Sequence, residues 1–300
     1  MKILITGCRG QLGFELQRSL ALLGKIVAVD RAGCDLASEE IIRGVMRAQR
    51  PDVVVNAAAY TAVDKAEQDQ TLAEQVNGRG PGILAEEAAA LGALLVHYST
   101  DYVFDGEQPT PYGVDTAPNP RSVYGLSKWH GEQAIQAVGK RHLILRTSWV
   151  YGAYGTNFLK TMLRLMRERD ALSVVSDQVG APTGAALIAD VTSHILARYI
   201  AGKGAGFAYG THHLVASGDT SWYDYARFIG GVAEQAGMAL RVSPGMIKPI
   251  STQDYPVPAR RPAYSRLDTT SLCESFGVVL PEWQAGVRQV VQLLASLQGK

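Results

Sequence analysis

Tyr124 and Lys128 stand four residues apart in the run Tyr124-Gly-Leu-Ser-Lys128. That spacing stacks a phenol and an ammonium on one face of a helix. A free tyrosine has a pKa of about 10 and is a poor proton donor or acceptor near neutrality. A nearby ammonium favours the phenolate by charge attraction, so the pair predicts a phenol drawn down toward the working range. Its chemistry is proton transfer to or from an oxygen. A second stretch, Ser99-Thr100-Asp101, brings hydroxyls and a carboxylate after an apolar run. Alone, each stretch is a weak signal. Their weight depends on the elements that position them.

Residues 2–6 read as a short buried strand. They run into Gly7-Cys8-Arg9-Gly10-Gln11-Leu12-Gly13 and then into a helical pattern. A strand, a glycine-rich turn and a helix start let backbone N–H groups approach a pyrophosphate. The spacing here is G-x-x-G-x-x-G, and it makes Gly7, Gly10, Gln11, Leu12 and Gly13 candidates for holding a dinucleotide. A second strand, 25–29, ends at Asp30, which is placed to accept hydrogen bonds from an adenosine ribose. That carboxylate would repel a 2′-phosphate and argues for NADH. Arg31 follows it and could pair with the phosphate, which admits NADPH. Asp35 and Leu36 lie in the next loop, where an adenine ring could rest.

Ser38 reads as the N-cap of a helix that Glu39 and Glu40 begin and Pro51 ends. Further strands are expected at 52–60, 93–98, 142–146 and 172–175. The first of these ends in Ala57-Ala58-Ala59, small enough for a flat cofactor to lie against. Tyr124 and Lys128 open the helix after the 93–98 strand. This alternation predicts an α/β fold, a Rossmann-type doubly wound parallel sheet. In such sheets ligands sit outside the carboxyl ends of the strands, where Ser99 to Asp101 fall. After residue 151 prolines punctuate the pattern. The expected organisation is a dinucleotide-binding domain over 1–150, to which a helix at 184–200 returns, and a smaller mixed substrate-binding domain over 151–300.

Composition narrows the function. Net charge is +1, which gives no electrostatic case for nucleic acid or an anionic membrane. No apolar run approaches the roughly 20 residues that span a bilayer, and the N-terminus lacks the pattern of a signal peptide. Three widely spaced cysteines fit reduced, cytoplasmic thiols. The expected partner is a small molecule, with no nucleic acid and no membrane.

The turn at Thr6-Gly7-x-x-Gly10-x-x-Gly13, the strand-end hydroxyl and Tyr124-x-x-x-Lys128, in that order, resemble the extended short-chain dehydrogenase/reductase superfamily. Longer blocks resemble the dTDP-4-dehydrorhamnose reductase family. They run from Asn56 to Glu67, Tyr98 to Gly106, Arg146 to Tyr151, Asp177 to Thr183, His213 to Gly218 and Pro258 to Pro262. The likeness spans nearly the whole chain. It implies reduction of the C4 keto group of dTDP-4-dehydro-β-L-rhamnose by NADPH or NADH, the last step of dTDP-L-rhamnose synthesis. On that resemblance Tyr124 would protonate the nascent alkoxide. Lys128 would hold the nicotinamide ribose and tune the phenol. Thr100 would hydrogen-bond the keto oxygen. Asp101 would contact the sugar, and Trp149 would offer an apolar face. Arg260 would grip the substrate diphosphate. Ala59, Tyr60, Thr61 and Tyr98 would join the glycine turn in holding the cofactor.

The run Thr100-Asp101-Tyr102 lacks the carboxylate that nucleotide-sugar dehydratases carry after the Asp, as suits net reduction. Two alternatives stay open: a reductase of another nucleotide-4-keto-6-deoxysugar, and a non-catalytic NADP-binding regulatory subunit. Some members of the family are dimers bridged by magnesium through acidic helix residues. Glu15 is available here, but Ala185-Ala186 stands where an acid would be wanted. A homodimer is therefore left open and no metal site is expected.

Overall fold

The computed structural model describes residues 1–298. Six parallel strands form the central sheet: β1 Lys2–Thr6, β2 Lys25–Val29, β3 Val53–Asn56, β4 Leu94–Thr100, β5 His142–Thr147 and β6 Gly210–His213. Their order across the sheet is β2-β1-β3-β4-β5-β6. The order reverses between β1 and β3, and the crevice outside their carboxyl ends is where such a sheet binds ligands. β1, β3 and β4 are buried on both faces because helices cover both.

On one face pack α1 Gln11–Ser19 and α6 Ala185–Ala201, through Leu16, Leu20, Ile188, Ile195 and Leu196. On the other pack α2 Glu39–Gln49 and α3 Gly80–Leu91, through Ile42, Met46, Ile83 and Leu84. Ser38 caps α2 as expected, accepting from the Ile41 N–H. α4 Val123–Val138 begins at Ser122, whose hydroxyl accepts from the Gly125 N–H at 3.1 Å. That cap fixes the first turn of α4, and with it Tyr124.

The sixth strand is not where the apolar run at 172–175 suggested. Ser173–Val175 pairs with Lys248–Ile250 in a separate two-stranded sheet. The sheet is completed instead by β6, Gly-Thr-His-His, which pairs with β5 in parallel. Its histidines conceal it from an apolar count. His213 is buried because its ring bonds the Asp268 carbonyl, and His212 bonds the Ala208 carbonyl and the Ser271 hydroxyl. A second core lies beyond the sheet. α5 Phe158–Glu168, α7 Trp222–Gln235 and α8 Trp283–Gln298 gather around Tyr225, Leu159, Met166, Ile229 and Val287.

Candidate active site

A cleft of about 590 Å³ opens at the carboxyl ends of the strands. Gly7, Gly10, Gln11, Leu12, Asp30, Arg31, Asp35, Leu36, Ala59, Tyr60, Thr61, Tyr98, Tyr124 and Lys128 all line it. The predicted cofactor-holding residues thus line one cleft, with one exception among the glycines, whereas Thr100 and Asp101 do not line it. Gly13 sits behind the wall, where a Cβ would lie 2.1 Å from the Gly7 carbonyl oxygen. Its work is close packing of α1 on the turn. Gly7 itself has φ +69°, and a Cβ there would strike the Ala58 backbone at 2.7 Å. Only glycine fits both the conformation and the space.

Gly10 provides no side-chain cap to α1, so the first-turn N–H groups stand at the cleft wall without a helical partner. Two buried hydroxyls on the wall, Ser99 Oγ and Thr147 Oγ1, also lack any hydrogen-bond partner. A dinucleotide diphosphate and ribose would satisfy such donors, and the chain's residues fit one.

Several contributors were not legible in the sequence reading. Arg9 Nε lies 2.8 Å from Asp30 Oδ2, and Asp30 Oδ1 accepts from the Ala32 and Gly33 N–H groups. The ribose-facing carboxylate is therefore already paired. Arg31 pairs with Asp35 at 3.3 Å. Asn77 lies on a π-helical turn, Gln75–Arg79, just before α3. Its amide brackets the Tyr60 peptide, accepting from the N–H at 2.8 Å and donating to the carbonyl at 3.0 Å. It also donates to the Ser127 hydroxyl on α4. The only hint was an asparagine inside an Ala-rich helix, where that residue is a poor choice without a partner.

Tyr124 and Lys128 do share one face of α4, but their charge states differ from the expectation. Burial pushes the Tyr124 phenol up to about 12; the nearby Thr100 hydroxyl pulls it down and the Asp101 charge pushes it further up. The predicted pull by Lys128 is not what governs the phenol. Lys128 Nζ is turned to the Tyr98 carbonyl, at 2.6 Å, and to His97 Nε2, at 3.1 Å. Burial pushes the lysine down to about 8, against the attraction of Glu132. At neutral pH the tyrosine is a protonated donor.

Thr100 ends β4 with its hydroxyl donating to Asp101 Oδ1 at 3.0 Å and accepting from the Tyr102 N–H. Asp101 is buried, and burial raises its carboxyl to about 6, against the pull of the Ser265 and Thr100 hydroxyls. Its Oδ2 makes no hydrogen bond of normal length.

The remaining two candidates lie outside this cleft. Trp149 adopts φ +46° and stacks on Trp222, with centroids 3.5 Å apart and planes 9° from parallel. A Cβ at Gly180 would come within 2.6 Å of its indole. One face of Trp149 is thus already covered. Arg260 is 62% exposed, pairs with Glu107 at 3.0 Å and lines a second opening beside Gln178, Thr252 and Tyr255. Its neighbour Arg261 is the anchored cation: both of its terminal nitrogens bond the two oxygens of Asp64, at 3.0 and 2.7 Å.

Comparison with known proteins places this geometry. Residues 1–296 match the model of the family described as the RmlD substrate binding domain. The chain is 48% identical to the dTDP-4-dehydrorhamnose reductase of Burkholderia thailandensis over 298 residues, 99% of this chain and 100% of that one. Among solved structures it resembles a dTDP-4-dehydrorhamnose reductase of Clostridium acetobutylicum, with TM-score 0.88, 38% identity and coverage of 98% and 99% of the two chains. It also resembles the Bacillus anthracis dTDP-4-dehydrorhamnose reductase solved in complex with NADP, with TM-score 0.86, 35% identity and coverage of 96% and 98%.

Proposed function

We infer the reaction from one premise: the chain belongs to the RmlD family of dTDP-4-dehydrorhamnose reductases, within the extended short-chain dehydrogenase/reductase superfamily. It is an NAD(P)H-dependent oxidoreductase that reduces the C4 keto group of dTDP-4-dehydro-β-L-rhamnose to give dTDP-L-rhamnose. The observation that carries the site assignment is that Tyr124 and Lys128 line one dinucleotide-sized cleft at the strand ends, with the Thr100 hydroxyl close to the phenol.

When bound, the reduced nicotinamide supplies the hydride that reaches the keto carbon. The chain's own groups supply the rest. The turn from Gly7 to Leu12 would hold the diphosphate on the free N–H groups of α1. Lys128 would hydrogen-bond the nicotinamide ribose. Tyr124 would give its proton to the oxygen as the carbon–hydride bond forms, and Thr100 would steady the charge developing there. A phenol that resists ionisation suits this direction, because the group must arrive with its proton. Asp101, with one buried oxygen unpaired, would accept from a sugar hydroxyl. Trp149 would reach substrate from the second core, against which it packs, and Arg260 from the second opening, and residues after 151 are assigned mainly to substrate binding.

No helix among the described residues is long and apolar enough to cross a membrane. The three cysteines are free, which supports a cytoplasmic location. The test is oxidation of NADPH and of NADH by the purified chain with dTDP-4-dehydro-β-L-rhamnose supplied by its upstream enzymes. Formation of dTDP-L-rhamnose is the expected result. Cofactor binding without oxidation of either cofactor would sink the reading.

A further inference from the structure

Residues 152–157, Gly-Ala-Tyr-Gly-Thr-Asn, take no part in the assignments above, yet two of them stand in the cofactor cleft. Gly155 and Thr156 line it beside Gly10, Gln11 and Leu12. The segment follows the short strand Val150–Tyr151 and ends at Asn157, the N-cap of α5. Three contacts fasten it over the first turn of α1. The Tyr154 ring stacks on Phe14, with centroids 4.5 Å apart and planes 8° from parallel. Gly155, with φ +77°, lies so near Gln11 that a Cβ there would come within 2.8 Å of Gln11 Cγ. Asn157 Nδ2 donates to Gln11 Oε1 at 2.8 Å. Gln11 and Phe14 are three residues apart on α1 and share a face.

The hydrogen bonds at Asn157 fix which way two amides turn. The Lys160 backbone N–H can only donate, and it meets Asn157 Oδ1 at 3.0 Å. The Asn157 nitrogen therefore carries the donors. One N–H goes to the Gly152 carbonyl at 2.8 Å, and the other goes to Gln11. Gln11 thus turns its oxygen to Asn157. What its amide offers a ligand in the cleft is an NH2 group, a donor and never an acceptor. The segment is also held from α5, where Lys160 Nζ donates to the Ala153 and Gly155 carbonyls at 3.0 and 2.7 Å. Two carbonyl dipoles that would repel an anion are thereby turned to an ammonium.

The donors along this stretch of the cleft are of three kinds: the Gln11 amide, the exposed Thr156 hydroxyl and the unpartnered first-turn N–H groups of α1. Such a set matches an anion with several acceptor oxygens, as a diphosphate has. The fastening is also light. Tyr154 is 41% exposed and Phe14 48%, and the bond from Asn157 to Gln11 joins two neutral amides. Opening the segment breaks surface contacts and leaves the buried core intact.

We propose that residues 152–157 form a strap over the dinucleotide diphosphate, in which the Thr156 hydroxyl and the Gln11 amide, oriented by Asn157, donate to phosphate oxygens and slow cofactor release. The inference rests on the NAD(P)H reading of the cleft and on nothing in keto-sugar recognition.

The test is stopped-flow displacement of bound NADPH by excess NADP⁺, followed by nicotinamide fluorescence with no sugar present. Thr156→Val should speed release about five- to tenfold, the worth of one hydrogen bond. Tyr154→Ala should speed it about two- to tenfold by freeing the strap from Phe14. Asn157→Ser keeps a helix-capping hydroxyl, loses the amide donor to Gln11, and should also speed release. ADP-ribose, which has the diphosphate without the nicotinamide, should lose affinity in the same variants. The KM for the keto-sugar at saturating NADPH should not move, although a generally loosened site would raise it. Should Asn157→Ser not fold, the exposed positions Tyr154 and Thr156 carry the test. Unchanged release in Tyr154→Ala and Thr156→Val overturns the inference and leaves the reductase reading standing. So does a rise in keto-sugar KM with release unchanged, which would put the segment on the substrate. Faster release in the variants, with no keto-sugar turnover by the wild type, supports the strap and counts against the reductase reading instead.

Discussion

The two ends of the Tyr124–Lys128 pair occupy the same helix face, yet their ionisations are shifted in opposite directions. The phenol is pushed up to about 12 and the ammonium down to about 8. In both cases burial is the first cause, and in both it favours the uncharged form. Their attraction for each other, the obvious inference from i, i+4 spacing, is the smaller effect. What differs is the hydrogen-bond company. Tyr124 faces Thr100 and the buried Asp101, whereas Lys128 faces the Tyr98 carbonyl and His97. One end is built to lose a proton to a substrate oxygen, and the other to make directed bonds.

Removing the proton donor breaks the comparison at its strongest point. Tyr124→Phe should lower kcat by about 10²–10⁴-fold, the usual worth of a positioned general acid. Cofactor affinity, measured by quenching of protein fluorescence, should stay within about twofold because the Lys128 end is untouched. A variant with full turnover would remove Tyr124 from the mechanism. Thr100→Val is the next step down. It deletes a hydroxyl that serves both the phenol and the developing oxyanion, and should cost about 10²-fold in kcat with little change in KM. An equal rise in KM would instead make Thr100 a binding group.

Asp101 sharpens the same comparison through stability. Its folded pKa of about 6 exceeds that of an unfolded aspartate, about 3.9. The native state therefore holds more protons between those values. Its contribution to stability is fully present below about pH 4, is lost as pH rises through 6, and stays lost above. Asp101→Asn should flatten that slope and stabilise the ligand-free chain at pH 7 by about 1–3 kcal/mol, read by urea unfolding. Unchanged pH dependence would mean that the carboxyl finds a partner in the ligand-free state.

The cofactor half was legible because its signals are local. Gly7 to Gly13, Asp30 and the Ala57–Ala59 run each follow a strand directly, and the parallel register brings the strand ends together. The substrate half was not, because its contacts join distant residues. Trp149 meets Trp222, and Arg261 meets Asp64, with no spacing rule to connect them. β6 was missed for the related reason that its histidines are buried by hydrogen bonds and not by apolarity. The direction of the Tyr124 shift was misread because helix spacing reports proximity, whereas depth of burial belongs to the tertiary structure.

Arg9 marks where the local signal was read but incompletely. It is 81% exposed at its side chain, against 24% for its partner Asp30. Such a pair holds little energy in itself, about 1 kcal/mol or less. Its effect falls on selectivity. With Arg9 in place, the negative charge that would repel a 2′-phosphate is matched by a guanidinium at 2.8 Å, and Arg31 stands beside it. Arg9→Ala leaves Asp30 held by the Ala32 and Gly33 N–H groups but uncompensated. The NADPH-to-NADH ratio of kcat/KM should then fall by about three- to fivefold, a change on the scale of one exposed charge pair. Raised salt should shrink the difference, because exposed charges are screened over about 10 Å at 0.1 M. A ratio that does not move would assign the phosphate to Arg31 alone. In either case the half-buried Tyr124 and buried Lys128 ends should keep their behaviour in salt, since screening acts on them far less than on exposed pairs. The salt series therefore separates the exposed ribose end of the cleft from its buried reactive end.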